Sequence, residues 1–275
     1  MPDLVLTGAT RGIGHALALA LANRRDGTRL LLAARDEARL EALAGECSRV
    51  GTDAVAVPGD LGTLASARDL GERLAKLVRP GATLVHIAGL WPSSREFGPD
   101  GFERAFVVNH LGGLTMQAPL LEAGLLRRVM VVSAGLLVKG RFDATRTPTG
   151  DDFSAIRTYC TTKLCFAVAM RDVAAAHPDV DVVVLHPGVV RTDLGARKGP
   201  LGWLLSLVKR SWESPETCAA RLVRILDRPR WSQPGQAKWL VEEEEQSWPP
   251  VTEDPATVAA IRRVTAASLK TEELA

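Results

Sequence analysis

The first two-thirds of the chain alternates between short apolar runs and longer stretches with a helical period. The apolar runs predict strands at residues 4–6, 30–34, 54–57, 83–87, 129–132 and 180–185. Amphipathic stretches between them predict helices near residues 13–24, 37–49, 63–78, 101–121 and 158–177. Strands that are apolar on both faces and alternate with helices are typical of a parallel sheet covered on both sides. The pattern therefore predicts an α/β fold.

The pattern changes from about residue 191. It predicts further elements at residues 201–208, 214–227, 237–241 and 255–269. The second of these has a clear helix start, because Ser214 is a good capping residue and Pro215 fits the first helical position. Residues 237–241 predict a last strand, and the other three stretches predict helices.

Composition limits the function classes. The chain has 275 residues, of which 46% are hydrophobic and 24% charged, as in an ordinary soluble protein. A net charge of +2 without a basic run gives no support for a nucleic-acid partner. The acidic run at residues 242–245 is interpreted as a solvated charge run. The longest apolar stretch, residues 129–138, is too short to span a bilayer, and a strand begins at Asp3, so we expect neither a membrane anchor nor a signal peptide.

The cysteines and histidines argue against a metal site. No two cysteines form a Cys-x-x-Cys pair, and no histidine lies three to five residues from another. Reduced structural thiols in a cytoplasmic protein are the economical interpretation. The residues concerned are Cys47, Cys160, Cys165, Cys218, His15, His86, His110, His177 and His186.

A glycine-rich turn joins the first strand to the first helix. Glycines let the backbone turn sharply and approach a phosphate, while the free N–H groups of the helix start bind it. The position between a strand and a helix is the context that such a motif requires. The turn predicts a dinucleotide site and a Rossmann fold, with contacts from Thr7, Gly8, Thr10, Arg11, Gly12, Ile13 and Gly14.

The end of the second strand bears on the choice of cofactor. A carboxylate there favours the ribose 2′-OH of NAD. This chain has Ala33 and Ala34 followed by Arg35, and Arg11 supplies a second cation in the glycine turn. Two arginines without an acid fit a 2′-phosphate, so we expect NADP(H). Either arginine alone would also suit an ordinary surface position.

The single tyrosine of the chain, Tyr159, lies four residues before Lys163. On a helix these positions share a face, so the ammonium can lie close to the phenol. A cation at about 4 Å is worth roughly 4 kcal/mol at an effective dielectric near 20. That energy corresponds to a lowering of the phenol pKa by about 3 units. The spacing thus predicts a proton donor, although a solvated helix can carry the same pair.

Together these motifs resemble the short-chain dehydrogenase/reductase family, and most of all its retinol-dehydrogenase-like subgroup. Thr7-Gly8-x-x-x-Gly12-x-Gly14 is similar to the cofactor motif of the family and Tyr159-x-x-x-Lys163 to its catalytic pair. The other matching positions are Asp60 and Leu61 for the adenine, Ala88 and Gly89 after the fourth strand, Asn109 in Asn-His-Leu-Gly, and Pro187, Gly188, Val190 and Thr192 at the nicotinamide end.

The resemblance implies hydride transfer between the nicotinamide and a carbonyl or alcohol carbon. Tyr159 would donate the proton, Lys163 would lower the pKa of Tyr159 and bind the nicotinamide ribose, and Asn109 would order a water that resupplies the proton. A serine hydroxyl would polarise the carbonyl. It also implies a single domain over residues 1–275, with a dinucleotide-binding core in residues 1–190 and a substrate lid with C-terminal elements in residues 191–275. A homodimer is compatible with this reading.

The apolar stretch after Thr192 predicts an apolar substrate, such as a lipid-like aldehyde, a terpenoid, a steroid or a polyketide. Trp91 is expected to wall the same pocket. The side chains of this stretch can equally pack against the core or a partner subunit. They are Leu194, Trp203, Leu204, Leu205, Leu207, Val208 and Trp212.

Two positions depart from the family pattern. Without a gap through to Gly140, Ala134 falls on the position of the catalytic serine, and a shift by one residue would place Ser133 there; both alignments stay open. After the fourth strand, Ile87 stands where the family has an asparagine that hydrogen-bonds neighbouring strands. His86 is interpreted as a satisfied, half-buried histidine.

Three functions follow from these residues. The first is an NADPH-dependent carbonyl reductase or alcohol dehydrogenase, with a role in biosynthesis. The second is a cofactor-binding sensor or scaffold without redox activity, which Ala134 would favour and the intact Tyr159, Lys163 and Asn109 oppose. The third is a lyase, cyclase or epimerase on the same fold.

Overall fold

The structure is a computed structural model that describes residues 3–191 and 212–270. Within these residues eight strands form one sheet in the order β3-β2-β1-β4-β5-β6-β7-β8. All neighbouring pairs are parallel except β7 and β8, which are antiparallel. The strands are β1 Asp3–Thr7, β2 Arg29–Ala34, β3 Ala54–Pro58, β4 Ala82–His86, β5 Leu126–Val132, β6 Asp181–His186, β7 Ala237–Val241 and β8 Glu244–Gln246.

Helices cover both faces of the sheet. Their bounds are α1 Gly12–Ala22, α2 Glu37–Arg49, α3 Leu64–Leu77, α4 Arg104–Phe106, α5 Gly112–Glu122, α6 Ala155–Ala176, α7 Pro215–Leu226 and α8 Pro255–Lys270. Side-chain caps fix several starts: Asp36, Thr63, Ser154 and Ser214 each accept a hydrogen bond from a backbone N–H of the first turn. The predicted start at Ser214 with Pro215 next is confirmed.

The sheet separates two hydrophobic clusters. One lies under α3, α5, α6 and α8, and the other under α1, α2 and α7. The two clusters explain why the strands are apolar on both faces. The parallel sheet with helices on both sides confirms the predicted doubly wound Rossmann fold.

The strand order has a functional consequence. The direction of winding reverses between β1 and β4, and a crevice opens outside the carboxyl ends of strands at such a point. The glycine-rich turn leaves β1 at this edge, and the segments after β4, β5 and β6 end there as well. The fold therefore gathers the predicted site residues of the described segments at one edge.

Two sequence predictions need correction. The helix predicted over residues 101–121 begins at Arg104, and its helical path is widened by a π-helical turn at Val107–Leu111. Glu244–Gln246 is exposed as expected but pairs with β7 as an edge strand, because a turn at Glu242 reverses the chain. The helix predicted at residues 201–208 lies outside the described residues.

None of the helices in residues 3–191 and 212–270 has the length and apolar character needed to cross a membrane. Trp239 of β7 packs beside Trp248 in the cluster under α6, with ring centroids 5.8 Å apart. Segments from the C-terminal part of the chain therefore complete the same sheet and the same core as the N-terminal part.

Candidate active site

The glycine-rich turn is built for close backbone approach. Gly8 and Gly12 have positive φ angles of 69° and 51°, which glycine adopts without a steric penalty. A Cβ on Gly14 would lie 2.2 Å from the carbonyl oxygen of Gly8, and a Cβ on Gly8 would lie 2.8 Å from the nitrogen of Ala88. The turn therefore packs backbone against backbone on the start of α1 and on the segment after β4, which only glycine at these positions allows. Thr10 and Ile13 lie in the same turn and are half-buried.

The Thr7 hydroxyl holds the segment after β4. Its Oγ1 accepts hydrogen bonds from the N–H groups of Ile87 at 3.1 Å and Ala88 at 3.2 Å. Ile87, which stands where the family has an asparagine, is partly buried and packs against the cluster under α1, α2 and α7. The segment is tied to β1 as well, because its N–H groups donate these two hydrogen bonds to a threonine at the end of that strand. Thr7 thus connects the predicted pyrophosphate turn with the Ala88-Gly89 turn.

Replacement of Thr7 by valine is therefore expected to lower the free energy of unfolding by about 2 kcal/mol. Valine keeps the shape but leaves two partly buried N–H groups without an acceptor. Urea unfolding followed by circular dichroism measures the change. Thr7→Ser is the matched control, because it keeps the hydroxyl. An equal loss in both variants would show that the methyl group matters and the hydroxyl does not.

The two arginines expected at a 2′-phosphate are on the surface. Arg11 precedes α1 and is exposed. The Nε of Arg35 lies 3.7 Å from Oδ1 of Asp60, and both side chains are solvent-exposed. Asp60 also accepts a hydrogen bond from the N–H of Gly62 at 3.0 Å, next to the half-exposed end of β3. An exposed pair at this distance is weak, so Arg35 keeps its capacity for an anion.

Asn109 lies in the π-helical turn, a feature that is frequent at functional sites. Its Oδ1 accepts from the N–H of Leu90 at 2.7 Å, and its Nδ2 donates to the carbonyl oxygen of Leu90 at 2.8 Å and to Oγ1 of Thr162 at 3.0 Å. The side-chain amide therefore fixes the backbone after Gly89 to helix α6. A Cβ on Gly89 would lie 3.2 Å from Oδ1 of Asn109 and 3.3 Å from Nζ of Lys163, so the three residues are neighbours.

Tyr159 is buried beneath Trp91. The phenol and indole rings stack with their centroids 4.4 Å apart and their planes 6° from parallel. Burial raises the pKa of the phenol well above its ordinary value. The expectation that Lys163 lowers the pKa of Tyr159 is therefore wrong for this arrangement. Trp91, expected as a pocket wall, lies directly on the proposed proton donor.

Lys163 is buried on the same helix, one turn after Tyr159. Its ammonium donates to the carbonyl oxygen of Val132 at 3.2 Å, at the end of β5. Burial lowers the pKa of Lys163 to about 8, because no described carboxylate compensates for the lost hydration. The cation therefore lies between β5 and the Gly89 turn, where it can donate to a ligand hydroxyl.

Ser133 directly follows β5. Its N–H donates to the carbonyl oxygen of Leu185 at 2.7 Å, which continues the pairing of β5 with β6 by one residue. Side chains alternate along a strand, so Ser133 shares the face of Val129 and Val131, whose cluster lies under α6. Its hydroxyl is buried and has no hydrogen-bond partner among the described residues. These facts favour a hydroxyl that faces the Tyr159 helix.

Several residues are satisfied without a ligand. His86 is fully buried, not half-buried as expected, and its Nε2 donates to Oε1 of Gln117 at 2.9 Å. Burial lowers the pKa of His86 to about 4. The four cysteines are free and buried. In the described part of the chain, no group of three or more His, Cys, Asp or Glu residues could hold a metal ion.

The segment after β6 brings a residue that the sequence analysis missed. Arg221 of α7 donates to the carbonyl oxygen of Pro187 at 2.7 Å. Gly188 follows with a φ of 88°, and Val190 forms a bridge with Glu213. Nothing in the local sequence around Arg221 marks it, because its partners lie in three other segments. Thr192 and the expected lid residues before Trp212 lie outside the described residues.

Comparisons with known proteins point to one family. A family model described as short chain dehydrogenase matches residues 4–200. A candidate daunorubicin C-13 ketoreductase, DnrU, of Streptomyces sp. (strain C5) is 36% identical over 195 residues, which cover 70% of this chain and 67% of that protein. Retinol dehydrogenase 14 of Mus musculus is 33% identical over 211 residues, which cover 70% of this chain and 62% of that protein.

A solved structure is also similar. The alcohol dehydrogenase of the archaeon Thermococcus sibiricus, in complex with 5-hydroxy-NADP, has a TM-score of 0.65 and 26% sequence identity. The similarity covers 90% of this chain and 100% of that chain. Fold and sequence therefore point to the same family.

Proposed function

The chain belongs to the short-chain dehydrogenase family and its retinol-dehydrogenase-like subgroup, and from this premise we propose that it is an NADP(H)-dependent reductase of apolar carbonyl compounds. The family acts on alcohols and ketones with a nicotinamide cofactor. The observation that carries the proposal is the cluster of Tyr159, Lys163, Asn109 and Gly89 at the carboxyl edge of the sheet.

The glycine-rich turn fits a dinucleotide, since Gly8 and Gly12 take positive φ angles and Gly14 packs on the backbone of Gly8, so that β1 turns sharply into the start of α1. The bound nicotinamide would supply the hydride. In the proposed mechanism Tyr159 donates the proton from its phenol oxygen to the carbonyl oxygen. The raised pKa keeps that phenol protonated, which suits reduction more than oxidation.

Lys163 is proposed to bind the nicotinamide ribose through its ammonium. The Ser133 hydroxyl, buried and without a described partner, is proposed to donate to the developing oxyanion. Asn109 holds the Leu90 backbone, and through it Trp91, over the phenol. The side chain of Asn109 is used in these bonds, so a role in ordering water would fall to its backbone carbonyl.

The proposed substrate is apolar. Phe97, Val138, Ile156 and Val189 are exposed large hydrophobic residues on segments that follow β4, β5 and β6 or begin α6. Ile156 lies one turn before Tyr159. The relative named for ketone reduction on daunorubicin favours a bulky polyketide-like ketone among the apolar classes.

The four free, buried thiols support a cytoplasmic location.

Replacement of Arg35 by alanine tests the cofactor preference. We expect the KM for NADPH to rise about 10-fold or more, because a charge-assisted contact to a phosphate contributes roughly 1.5–3 kcal/mol. The KM for NADH should stay within about twofold, since that cofactor has no 2′-phosphate. Initial rates with both cofactors measure the ratio. Equal changes for both would place Arg35 away from the 2′ position.

The direct test of the function follows NADPH absorbance while the purified protein meets a panel of apolar aldehydes and ketones. Turnover that prefers NADPH supports the reductase and ranks the substrates. Tight NADPH binding without turnover on any carbonyl would favour the alternatives instead, a non-redox lyase, cyclase or epimerase, or a sensor. Ala134, which lies where the family has its serine in the ungapped alignment, would then be the cause to examine.

A further inference from the structure

Arg221 joins three segments at the nicotinamide end of the proposed site. Its guanidinium binds Glu213 through two hydrogen bonds of 2.8 and 2.6 Å, and its Nη2 lies 3.4 Å from Oε2 of Glu242. Its Nη1 also donates to the carbonyl oxygen of Pro187 at 2.7 Å. Only 12% of the Arg221 side chain is exposed, so these contacts are largely shielded from water.

The backbone around this arginine is equally constrained. The N–H of Arg191 donates to the carbonyl oxygen of Glu213 at 2.8 Å, and the N–H of Glu213 donates to that of Val189 at 3.1 Å. The chain positions that flank residues 192–211 are thus held side by side. Arg221 binds both of them, through Glu213 on one side and Pro187 on the other.

The side chains of Arg221 and Glu242 also lie close to Gly188. Its φ of 88° is a conformation that other residues rarely adopt. A Cβ there would lie 3.0 Å from Oε1 of Glu242 and 3.3 Å from Nη1 of Arg221. Glu242 itself has a φ of 56°, unusual outside glycine, and its N–H donates to the carbonyl oxygen of His186 at 2.7 Å. Strain of this kind persists only where the surroundings hold it, and it concentrates at functional sites.

We propose that Arg221 is a positioning residue, which fixes the Pro187–Val190 segment so that its backbone binds the nicotinamide half of the cofactor. The inference rests on the proposed function, because it takes this segment as the nicotinamide side of the site. It assigns a role to a residue of α7 that does not touch the reacting atoms. Loss of the guanidinium frees the Pro187 carbonyl and leaves Glu213 and Glu242 unpaired beside each other.

The test compares two ligands in Arg221→Leu. The first is NADPH, and the second is its fragment without nicotinamide, 2′-phospho-adenosine diphosphate ribose. We expect the Kd for NADPH to rise about 10-fold or more, while the Kd for the fragment changes less than about twofold. Calorimetry measures both without turnover. The chain offers a matched control in Arg224 on the same helix, which forms two hydrogen bonds with Glu243 at 2.9 and 2.6 Å and is exposed. Arg224→Leu should leave both ligands unchanged.

A second variant guards against loss of folding. Glu213→Gln keeps the shape of the bidentate partner and removes its charge. It should therefore raise the Kd for NADPH and leave the Kd for the fragment unchanged, as Arg221→Leu does, but by a smaller factor. Equal weakening of both ligands, or none, in variants that keep the wild-type melting temperature would overturn the role of Arg221. If the wild-type protein does not bind NADPH, the proposed function itself is wrong. If the wild-type protein binds NADPH and the variants show no selective loss, only the role of Arg221 is wrong.

Discussion

Replacement of Tyr159 by phenylalanine is expected to lower kcat for carbonyl reduction about 100- to 10,000-fold, the range that a positioned general acid contributes. Phenylalanine removes only the hydroxyl and keeps the ring that stacks on Trp91 at 4.4 Å. The Kd for NADPH should therefore stay within about twofold. Steady-state kinetics and calorimetry on the same preparation separate the two quantities.

The pH dependence sharpens this test. Burial holds the pKa of Tyr159 above its ordinary value, so the wild-type phenol stays protonated throughout the neutral range. The loss caused by Tyr159→Phe should then be the same at about pH 6 and about pH 7.5. Trp91→Phe is the control that keeps an aromatic ring on Tyr159 and retains the hydroxyl. A residual rate in Tyr159→Phe within tenfold of wild type would assign the proton to another group.

The periodicity of the sequence was sufficient for the fold. Runs such as residues 30–34 and 180–185 are largely apolar on both faces, as is typical of a covered parallel strand, and they form β2 and β6. The acidic Glu244–Gln246 was missed as a strand because its pairing with β7 depends on the turn at Glu242. Spacing also placed Tyr159 and Lys163 on one helix face. It could not show that the Lys163 ammonium reaches the carbonyl of Val132.

Contacts between distant segments could not be predicted from the sequence, for a physical reason. Thr7 accepts hydrogen bonds from Ile87 and Ala88, which lie 80 and 81 positions further along the chain. Arg221 binds three segments that no local sequence pattern relates. Such bonds depend on the register and closeness of strands, which are properties of the folded sheet. The pKa of Tyr159 depended in the same way on burial under Trp91. Helix spacing suggested that the Lys163 cation would lower this pKa, but desolvation raises it.

Replacement of Lys163 is expected to have the second large effect, which is on the free energy of unfolding. Its pKa falls from the ordinary value of 10.5 to about 8 because the buried ammonium loses hydration. At neutral pH this difference destabilises the folded state by about 3 kcal/mol, at about 1.36 kcal/mol for each pKa unit. Replacement by methionine removes the charge and keeps the length of the side chain. We therefore expect Lys163→Met to raise the free energy of unfolding by up to about 3 kcal/mol at pH 7, while catalysis is lost.

The sign of the pH dependence distinguishes this cause from improved packing. A group whose folded pKa is depressed contributes least below that pKa and most above its unfolded pKa. Wild-type stability should thus rise relative to Lys163→Met between about pH 8 and about pH 10.5, and the advantage of the variant should shrink to below about 1 kcal/mol at pH 10. Urea unfolding of both proteins at pH 7 and pH 10 gives the difference directly. A constant advantage would mean that methionine packs better and that the ammonium carries no desolvation penalty. An advantage that shrinks with pH would show that the fold keeps a costly buried cation at the place where the proposed cofactor site needs one.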